Sequence, residues 1–342
     1  MHTLDEILSQ PSIWQSALQE AEKTAPQWRA ALGEDAAPLL FLGCGSTYYL
    51  SLTAAALFRK LTGRLTFALP GGEFLLQRAD WLGDLPERSP KPILITVSRS
   101  GTTTETVRAA EAYRAAGGRV LTATNYPESP LATLADAALL LPQGQEESVA
   151  QTRSFSSMLV GLNALAILLG EQRALWQAIQ RLPEAAAGLI ERYAPLARQL
   201  GEDLSLERFY FLGSGVRYGL ASEASLKMKE MSLSHSEPFP FLEFRHGPMS
   251  MVNGQTLLIG LLSEQAQAQE QKVLDEMQAL GGQILSLGEQ GARVEFASGI
   301  PEEGCAVLYL PILQLLACYR SLAKGLNPDR PHNLTAVVQL NF

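Results

Sequence analysis

A ten-residue stretch occurs twice. FLGCGSTYYL at 41–50 returns as FLGSGVRYGL at 211–220, with Phe, Leu, Gly, Gly, Tyr and Leu in register 170 residues apart. Further along, ILITVSRSG at 93–101 and LLIGLLSEQ at 257–265 take matching places 164 residues apart. Each is followed by a helix-forming run that closes on a glycine pair, at 117–118 and 281–282. Each copy runs to roughly 130 residues, and a long period with only two copies argues against a solenoid. The chain is expected to fold as two versions of one unit.

The pattern inside a copy names that unit. PLLFLG is an apolar strand ending in Gly-x-Gly, followed by an Ala/Leu helix from about Thr47 to Leu61. KPILITVS, RVLTATN and ALLLP read as further strands, with helices over TTETVRAAEAYRAAGG and from Ser154 to Leu169. Strand–helix alternation is the pattern of an α/β fold with a doubly wound parallel sheet. The first 35 residues are helical, with breaks expected at Pro11 and Pro26, and 171–205 is a helical connector carrying Pro183 and Pro195. The division expected is a helical segment over 1–36, a first domain over 37–170, the connector over 171–205, a second domain over 206–326 and a tail over 327–342.

Composition narrows the class. Hydrophobic residues make up 46% of the 342 and charged residues 18%, enough apolar material for two cores. A net charge of −8 argues against nucleic acid as a partner. Cys44, Cys305 and Cys318 lie far apart, with no metal-binding spacing, so neither a disulfide framework nor a zinc site is expected. The N-terminus lacks a signal-peptide pattern, and apolar runs such as MLVGLNALAILLG are shorter than the about 18 residues of a membrane span. A soluble, cytoplasmic protein without a membrane partner is expected.

The copies differ where one strand passes into a helix. The first reads SRSGTTTET, with Ser98, Ser100, Thr102, Thr103, Thr104 and Thr106 around Gly101; the second has LLSEQAQ. Two copies of a fold share structural needs, so a feature found in one copy points to function. A strand-to-helix turn exposes backbone N–H groups, and the helix N-terminus favours an anion. Short hydroxyls add donors without bulk, so Ser98, Ser100 and Thr103 are candidates to surround a phosphate, with Arg99 adding charge. No Walker GxxxxGK[ST] pattern is present, which disfavours nucleoside triphosphate hydrolysis and favours a sugar phosphate. Ser46 and Thr47, on the neighbouring GCGST turn, can approach the same ligand.

The second copy carries different chemistry. In ASEASLKMKEMSLSH, Glu223, Lys227 and Glu230 fall at i, i+4 and i+7 on one face of a helix that should pack on a sheet. Charge there suits general acid–base work. EPFPFLEFRHGPMSM reads as an irregular aromatic stretch suited to a subunit contact, and His246 within it is a candidate for acid–base work.

With these motifs in place, the chain resembles the sugar isomerase (SIS) family. It is most similar to the isomerase half of glucosamine-6-phosphate synthase and to stand-alone relatives that interconvert or deaminate amino-sugar phosphates. EILSQP, GCGST, SRSGTTTET, SVAQTRSF, EASLKMKE and EFRHGP occur in family order and cover nearly the whole chain. The resemblance implies two duplicated SIS domains, flavodoxin-like, in a three-layer αβα arrangement. It assigns Ser98, Arg99, Ser100 and Thr103 to the phosphate. Ser46 and Thr47 would line the sugar pocket, with Gln151 nearby. Glu230 would move a proton between C1 and C2, with Lys227 close to the reacting oxygens. His246 would open the sugar ring from the other subunit, which implies a homodimer, and no metal or cofactor is called for. The C-terminal tail would lie over the active site.

Two departures bear on the reaction. No glutaminase domain is expected before the repeat, since residue 2 is His2 where the synthase begins Met-Cys, and ammonia from glutamine is not expected either. In DRPHNLTAVVQL, Ala336 stands where the synthase has a lysine that helps open the ring. The leading expectation is conversion of an amino-sugar 6-phosphate to a ketose 6-phosphate and ammonia through an enediol or enolamine. Plain aldose–ketose isomerisation and fructosamine-6-phosphate deglycation are the alternatives of the same class. A non-catalytic sugar-phosphate regulator is the alternative of another class.

Overall fold

The computed structural model describes residues 1–34, 36–77, 91–338 and 340. Residues 78–90 of the expected first domain, and 339 and 341–342 of the tail, lie outside the described residues. The chain divides into two compact units. The first-sheet unit gathers Ser12–Gln145, Arg153–Gln177 and Thr335–Phe342, and the second-sheet unit gathers Met1–Pro11, Glu146–Thr152 and Ala178–Leu334.

The chain opens with α1 (His2–Leu8) and α2 (Gln10–Leu32). The breaks expected at the prolines do not occur there. Pro11 sits in the first turn of α2, where its missing N–H has no helical partner to lose, and α2 runs on through Pro26. From Ser12 onward α2 belongs to the first-sheet unit. There Trp14 Nε1 donates to Ser156 Oγ at 2.9 Å, and Trp28 packs 6.4 Å from Phe58 between ring centres.

The strands of this unit are β1 (Leu39–Gly43), β2 (Thr66–Pro70), β3 (Ile93–Val97), β4 (Val120–Thr124) and β5 (Ala137–Leu140). They pair in parallel in the order β2-β1-β3-β4-β5. The central strands β1, β3 and β4 are buried at every position, as an apolar run covered on both faces requires. The covering helices are α3 (Ser46–Thr62), α4 (Gly71–Leu76), α5 (Thr104–Ala115), α6 (Pro130–Leu134) and α7 (Arg153–Leu169). On one face Leu40, Leu42 and Leu94 meet Phe74, Ala109 and Tyr113 in a single core.

After α8 (Arg173–Ile179) and α9 (Leu182–Glu202) the plan repeats. The second sheet holds β6 (Arg208–Leu212), β7 (His235–Phe239), β8 (Thr256–Leu261), β9 (Gln283–Gly288) and β10 (Val294–Glu295), again all parallel, in the order β10-β9-β8-β6-β7. Read from its other edge, this is the order of the first sheet, so the duplication extends to the topology. Its helices include α10 (Val216–Ser232), α11 (Gln267–Ala279) and α12 (Leu310–Ala323). Each unit is thus a doubly wound α/β sheet with helices on both faces, the three-layer arrangement expected from the sequence.

Two further features stand out. Within the aromatic stretch two phenylalanines serve the unit's own core, while Leu242, His246 and Met251 stay exposed. Phe241 and Phe244 are buried, and Phe244 lies 5.0 Å from Tyr210 and 5.4 Å from Phe239. The segment Ala306–Ala323 is long and apolar enough to cross a membrane by length and composition, yet 83% of it is buried inside its unit.

The repeated Gly-x-Gly turn has a steric cause. A Cβ on Gly43 would stand 2.4 Å from the Thr47 carbonyl, and one on Gly213 would stand 2.5 Å from that of Arg217. Both clashes are with helix backbone, which no rotamer change relieves. Gly43→Ala and Gly213→Ala are each expected to lower stability by about 1–3 kcal/mol, read as a reduced urea midpoint at unchanged m-value.

Candidate functional site

In the second-sheet unit the chemistry sits on α10. Glu223, Lys227 and Glu230 share the face set by their spacing, and that face is interior. Glu223 is 0% exposed, Lys227 is 1% exposed, and the Glu230 side chain keeps 19% of its surface. Lys227 Nζ lies 3.4 Å from Glu223 Oε1 and donates to Glu230 Oε2. Burial alone drives the lysine pKa down, but Glu223 and Glu230, with Glu146 further off, outweigh it and hold the ammonium above its ordinary 10.5. The sign follows from linkage. A folded-state pKa above the unfolded one contributes stability that is complete at neutral pH and is lost only as pH rises through the folded value.

Glu146 belongs to a loop, 146–152, that is fixed at several points. Glu146 Oε1 accepts from Thr152 N at 2.6 Å and from Thr152 Oγ1 at 2.8 Å. The buried carboxylate of Glu6 on α1 accepts from the amides of Glu147, at 2.6 Å, and Ser148, at 3.3 Å, and from the Ser148 hydroxyl. Val149 N donates to Asp329 O at 3.0 Å. The Asp329 carboxylate takes His2 N at 3.1 Å, and Thr3 N and Oγ1 at 2.7 Å each. Burial would raise the Asp329 carboxyl, but these donors hold it below its usual value. Gln151 is half-buried on this loop, and its Oε1 is enclosed without a hydrogen-bond donor among the described residues. Glu146 and Glu6 were not singled out from the sequence. Glu6 meets its partner 141 residues away, and nothing local announces such a contact.

His246 closes the short 3-10 turn Glu243–Arg245, with its amide donating to Glu243 O at 3.0 Å. The residue is exposed, and its imidazole makes no hydrogen bond among the described residues.

In the first-sheet unit the hydroxyl turn links β3 to α5. Ser98 Oγ accepts from Gly101 N at 3.1 Å and lies 3.3 Å from Thr103 Oγ1. Gly101 has φ +65°, and a Cβ there would fall 2.1 Å from Ser129 Oγ, so glycine is required. Ser100 Oγ accepts from Thr102 N at 3.2 Å and from Thr102 Oγ1 at 2.9 Å. Thr103 stands at the N-cap of α5, but its hydroxyl does not cap the helix. Ser98, Ser100 and Thr103 are thus brought together in one turn at a helix start.

Two other hydroxyls of the run serve the fold. Thr106 is wholly buried and meets Cys44 Sγ at 3.5 Å, joining this turn to GCGST, and Thr104 Oγ1 accepts from Leu340 N at 3.1 Å. On the GCGST turn, Thr47 Oγ1 accepts from Cys44 N at 2.9 Å and donates to Cys44 O at 3.0 Å, while Ser46 is buried at the first position of α3. Arg99 is 7% exposed. Its carbonyl accepts from Thr124 Oγ1 and Asn125 N, and Nη2 donates to the carbonyl of Ala336 at 2.6 Å. Among the described residues, no group of three His, Cys, Asp or Glu side chains is placed to hold a metal ion.

Comparison with known proteins places these motifs. The SIS domain family model matches residues 34–168 and 205–292. The glutamine–fructose-6-phosphate aminotransferase (isomerizing) of Pyrococcus horikoshii is 30% identical over 98% of this chain, which spans 57% of that relative's length. The solved structure of glucosamine-6-phosphate deaminase from Thermotoga maritima superimposes with a TM-score of 0.81 at 28% identity, covering 99% of each chain. That of tagatose-6-phosphate ketose/aldose isomerase from Escherichia coli gives a TM-score of 0.84 at 21% identity over 96% of this chain and 94% of that one, a likeness of fold.

The buried cluster sets a test of its own. Lys227→Met strands the Glu223 carboxylate without its counter-ion, and removing one partner of a buried pair costs about 3–5 kcal/mol. Urea denaturation at pH 7 is expected to show that loss, and Lys227→Met combined with Glu223→Gln is expected to recover part of it.

Proposed function

This chain belongs to the SIS-domain family, and we propose that it is a phosphosugar enzyme that converts an amino-sugar 6-phosphate to a ketose 6-phosphate and ammonia. The observation that carries the reading is the ammonium of Lys227 held between the buried Glu223 and the partly exposed side chain of Glu230. A protein that only bound a sugar phosphate would have no use for a buried lysine flanked by carboxylates. The likeness to a glucosamine-6-phosphate deaminase over the full length of both chains supports deamination.

The roles follow from the chemistry. The phosphate is assigned to the turn of Ser98, Ser100 and Thr103 at the start of α5, with Arg99 beside it. Ser46, Thr47 and Gln151 are assigned to the sugar, and the unmatched Gln151 Oε1 suits a hydroxyl donor. His246, exposed in the single chain, is assigned to ring opening in a homodimer. In the open chain, C1 is an aldehyde and C2 carries the amine. Glu230 takes the proton from C2, and the electron pair moves toward the C1 oxygen, where the Lys227 ammonium opposes the developing charge. The same carboxyl returns the proton to C1, leaving an imine at C2. Water adds to that imine and releases ammonia, so substrate plus water gives ketose phosphate plus ammonia. A positioned base of this kind contributes about 10²–10⁴-fold.

Ammonia release from glucosamine 6-phosphate is the test. Glu230→Gln is expected to lower kcat by about 10²–10⁴-fold. Ketose without ammonia would replace deamination by isomerisation. Binding without turnover, equal in both proteins, would replace the enzyme by a sensor. Thr103→Val should raise KM for the phosphorylated sugar about tenfold, the equivalent of one charge-assisted hydrogen bond, with kcat much less affected. An unchanged KM would remove the phosphate from this turn.

A further inference from the structure

The loop 146–152 forms neither helix nor strand, so its backbone polar groups need partners from outside. Much of that pairing comes from residues 2–10. Glu6 accepts from the amides of Glu147 and Ser148 and from the Ser148 hydroxyl. The far end of the loop is reached through two buried glutamines. Gln10 Nε2 donates to Gln314 Oε1 at 2.9 Å, and Gln314 Nε2 donates to Thr152 O at 3.3 Å. The middle is reached through Asp329, whose carbonyl takes Val149 N while its carboxylate takes the amides of His2 and Thr3.

Among these anchors Glu6 is the one that packing does not explain. Its carboxylate is 3% exposed, and among the described residues it makes no ion pair. Burying a carboxylate without a cation is costly, and only well-aimed donors offset the cost. Every donor it has comes from the loop. A neutral side chain would hold an amide there with less desolvation. A charged acceptor suits a place where the geometry has to be narrow, because charge-assisted hydrogen bonds are shorter and about twice as strong.

The loop carries a second carboxylate. Glu146 is oriented by Thr152 N and Oγ1, and its charge acts on Lys227 together with those of Glu223 and Glu230. In the reaction proposed above, Glu230 becomes neutral when it takes the proton from C2, and Lys227 loses one counter-charge at that moment. Glu223 and Glu146 then keep the ammonium charged beside the developing enolate.

We propose that Glu6 is a positioning residue for this reaction: by fixing the amides of Glu147 and Ser148 it holds the Glu146 carboxylate where its charge reaches Lys227. Glu6 itself contacts no reacting atom. The inference rests on the phosphosugar reading, and the experiment separates the two.

Kinetics on glucosamine 6-phosphate and amide hydrogen exchange of the full chain are measured side by side. Glu6→Ala is expected to lower kcat about tenfold, as misplacement of a catalytic group does. Glu6→Gln keeps a carbonyl acceptor for the two amides, and its kcat is expected to stay within about threefold of wild type. On a Glu146→Gln background, Glu6→Ala is expected to cost less than about threefold, because no carboxylate is left to place. Without substrate, the amides of Glu147, Ser148 and Val149 are expected to exchange about tenfold faster in Glu6→Ala. Equal losses of kcat in both backgrounds, or an unchanged kcat beside a loosened loop, would overturn the positioning role and leave the deamination standing. A wild-type chain that does not turn over the sugar would overturn the reaction and this role with it, and faster exchange would then mark Glu6 as a structural anchor alone. If Glu6→Ala does not fold, Ser148→Ala, which removes only the hydroxyl donor, takes its place in the same cycle with a loss of about threefold expected. Equal losses in both backgrounds are again the overturning result.

Discussion

An ammonium 1% exposed inside a helix that packs on a sheet is costly unless its charge is answered at once. Lys227 is answered by Glu223 one turn before it and by Glu230 one turn after it. This pairing fixes much else. It requires a helix face that carries charge where its neighbours carry alanine, leucine and methionine. It requires a loop whose Glu146 adds to the same field, and that loop is held from α1 by Glu6 and from the segment after α12 by Asp329. Glu230, the partly exposed member, is thereby given a fixed neighbour, which suits the proton-transferring role proposed for it.

Much of this was legible in the chain. The apolar runs mark β1, β3, β4 and β6 because a central parallel strand, covered on both faces, has to be apolar at most positions. The spacing of Glu223, Lys227 and Glu230 marks one helix face without further knowledge. The edge strands β2 and β7 were not legible. They are only partly buried and carry Pro70 and Pro238, which an edge tolerates and a central strand does not. The inward place of Phe241 and Phe244 after β7 was not legible for a related reason. Their irregular spacing has no strand or helix period, yet Phe241 and Phe244 fill the space beside Tyr210. Glu6 and Glu146 escaped because their partners are distant in sequence.

The two copies also show how far one architecture constrains its chemistry. Sheet order and the close approach of a glycine to the following helix are retained, and both edge strands keep a proline. What differs is the character of the strand-to-helix turns. The first copy answers the end of β3 with hydroxyls, and the second answers the end of β8 with carboxylates and amides. Fold and chemistry are separable here because these turns lie beyond the last sheet hydrogen bonds, where side chains change without disturbing the core.

Three carboxylates around one ammonium leave this face of α10 negative. For an amino-sugar phosphate of the kind proposed, one end of the molecule is a dianion and the other an aldehyde beside an amine. Coulomb repulsion, weakly screened at a partly enclosed surface, turns the first end away and admits the second. Polarity of this kind sorts the two ends of a substrate before any individual hydroxyl has been recognised.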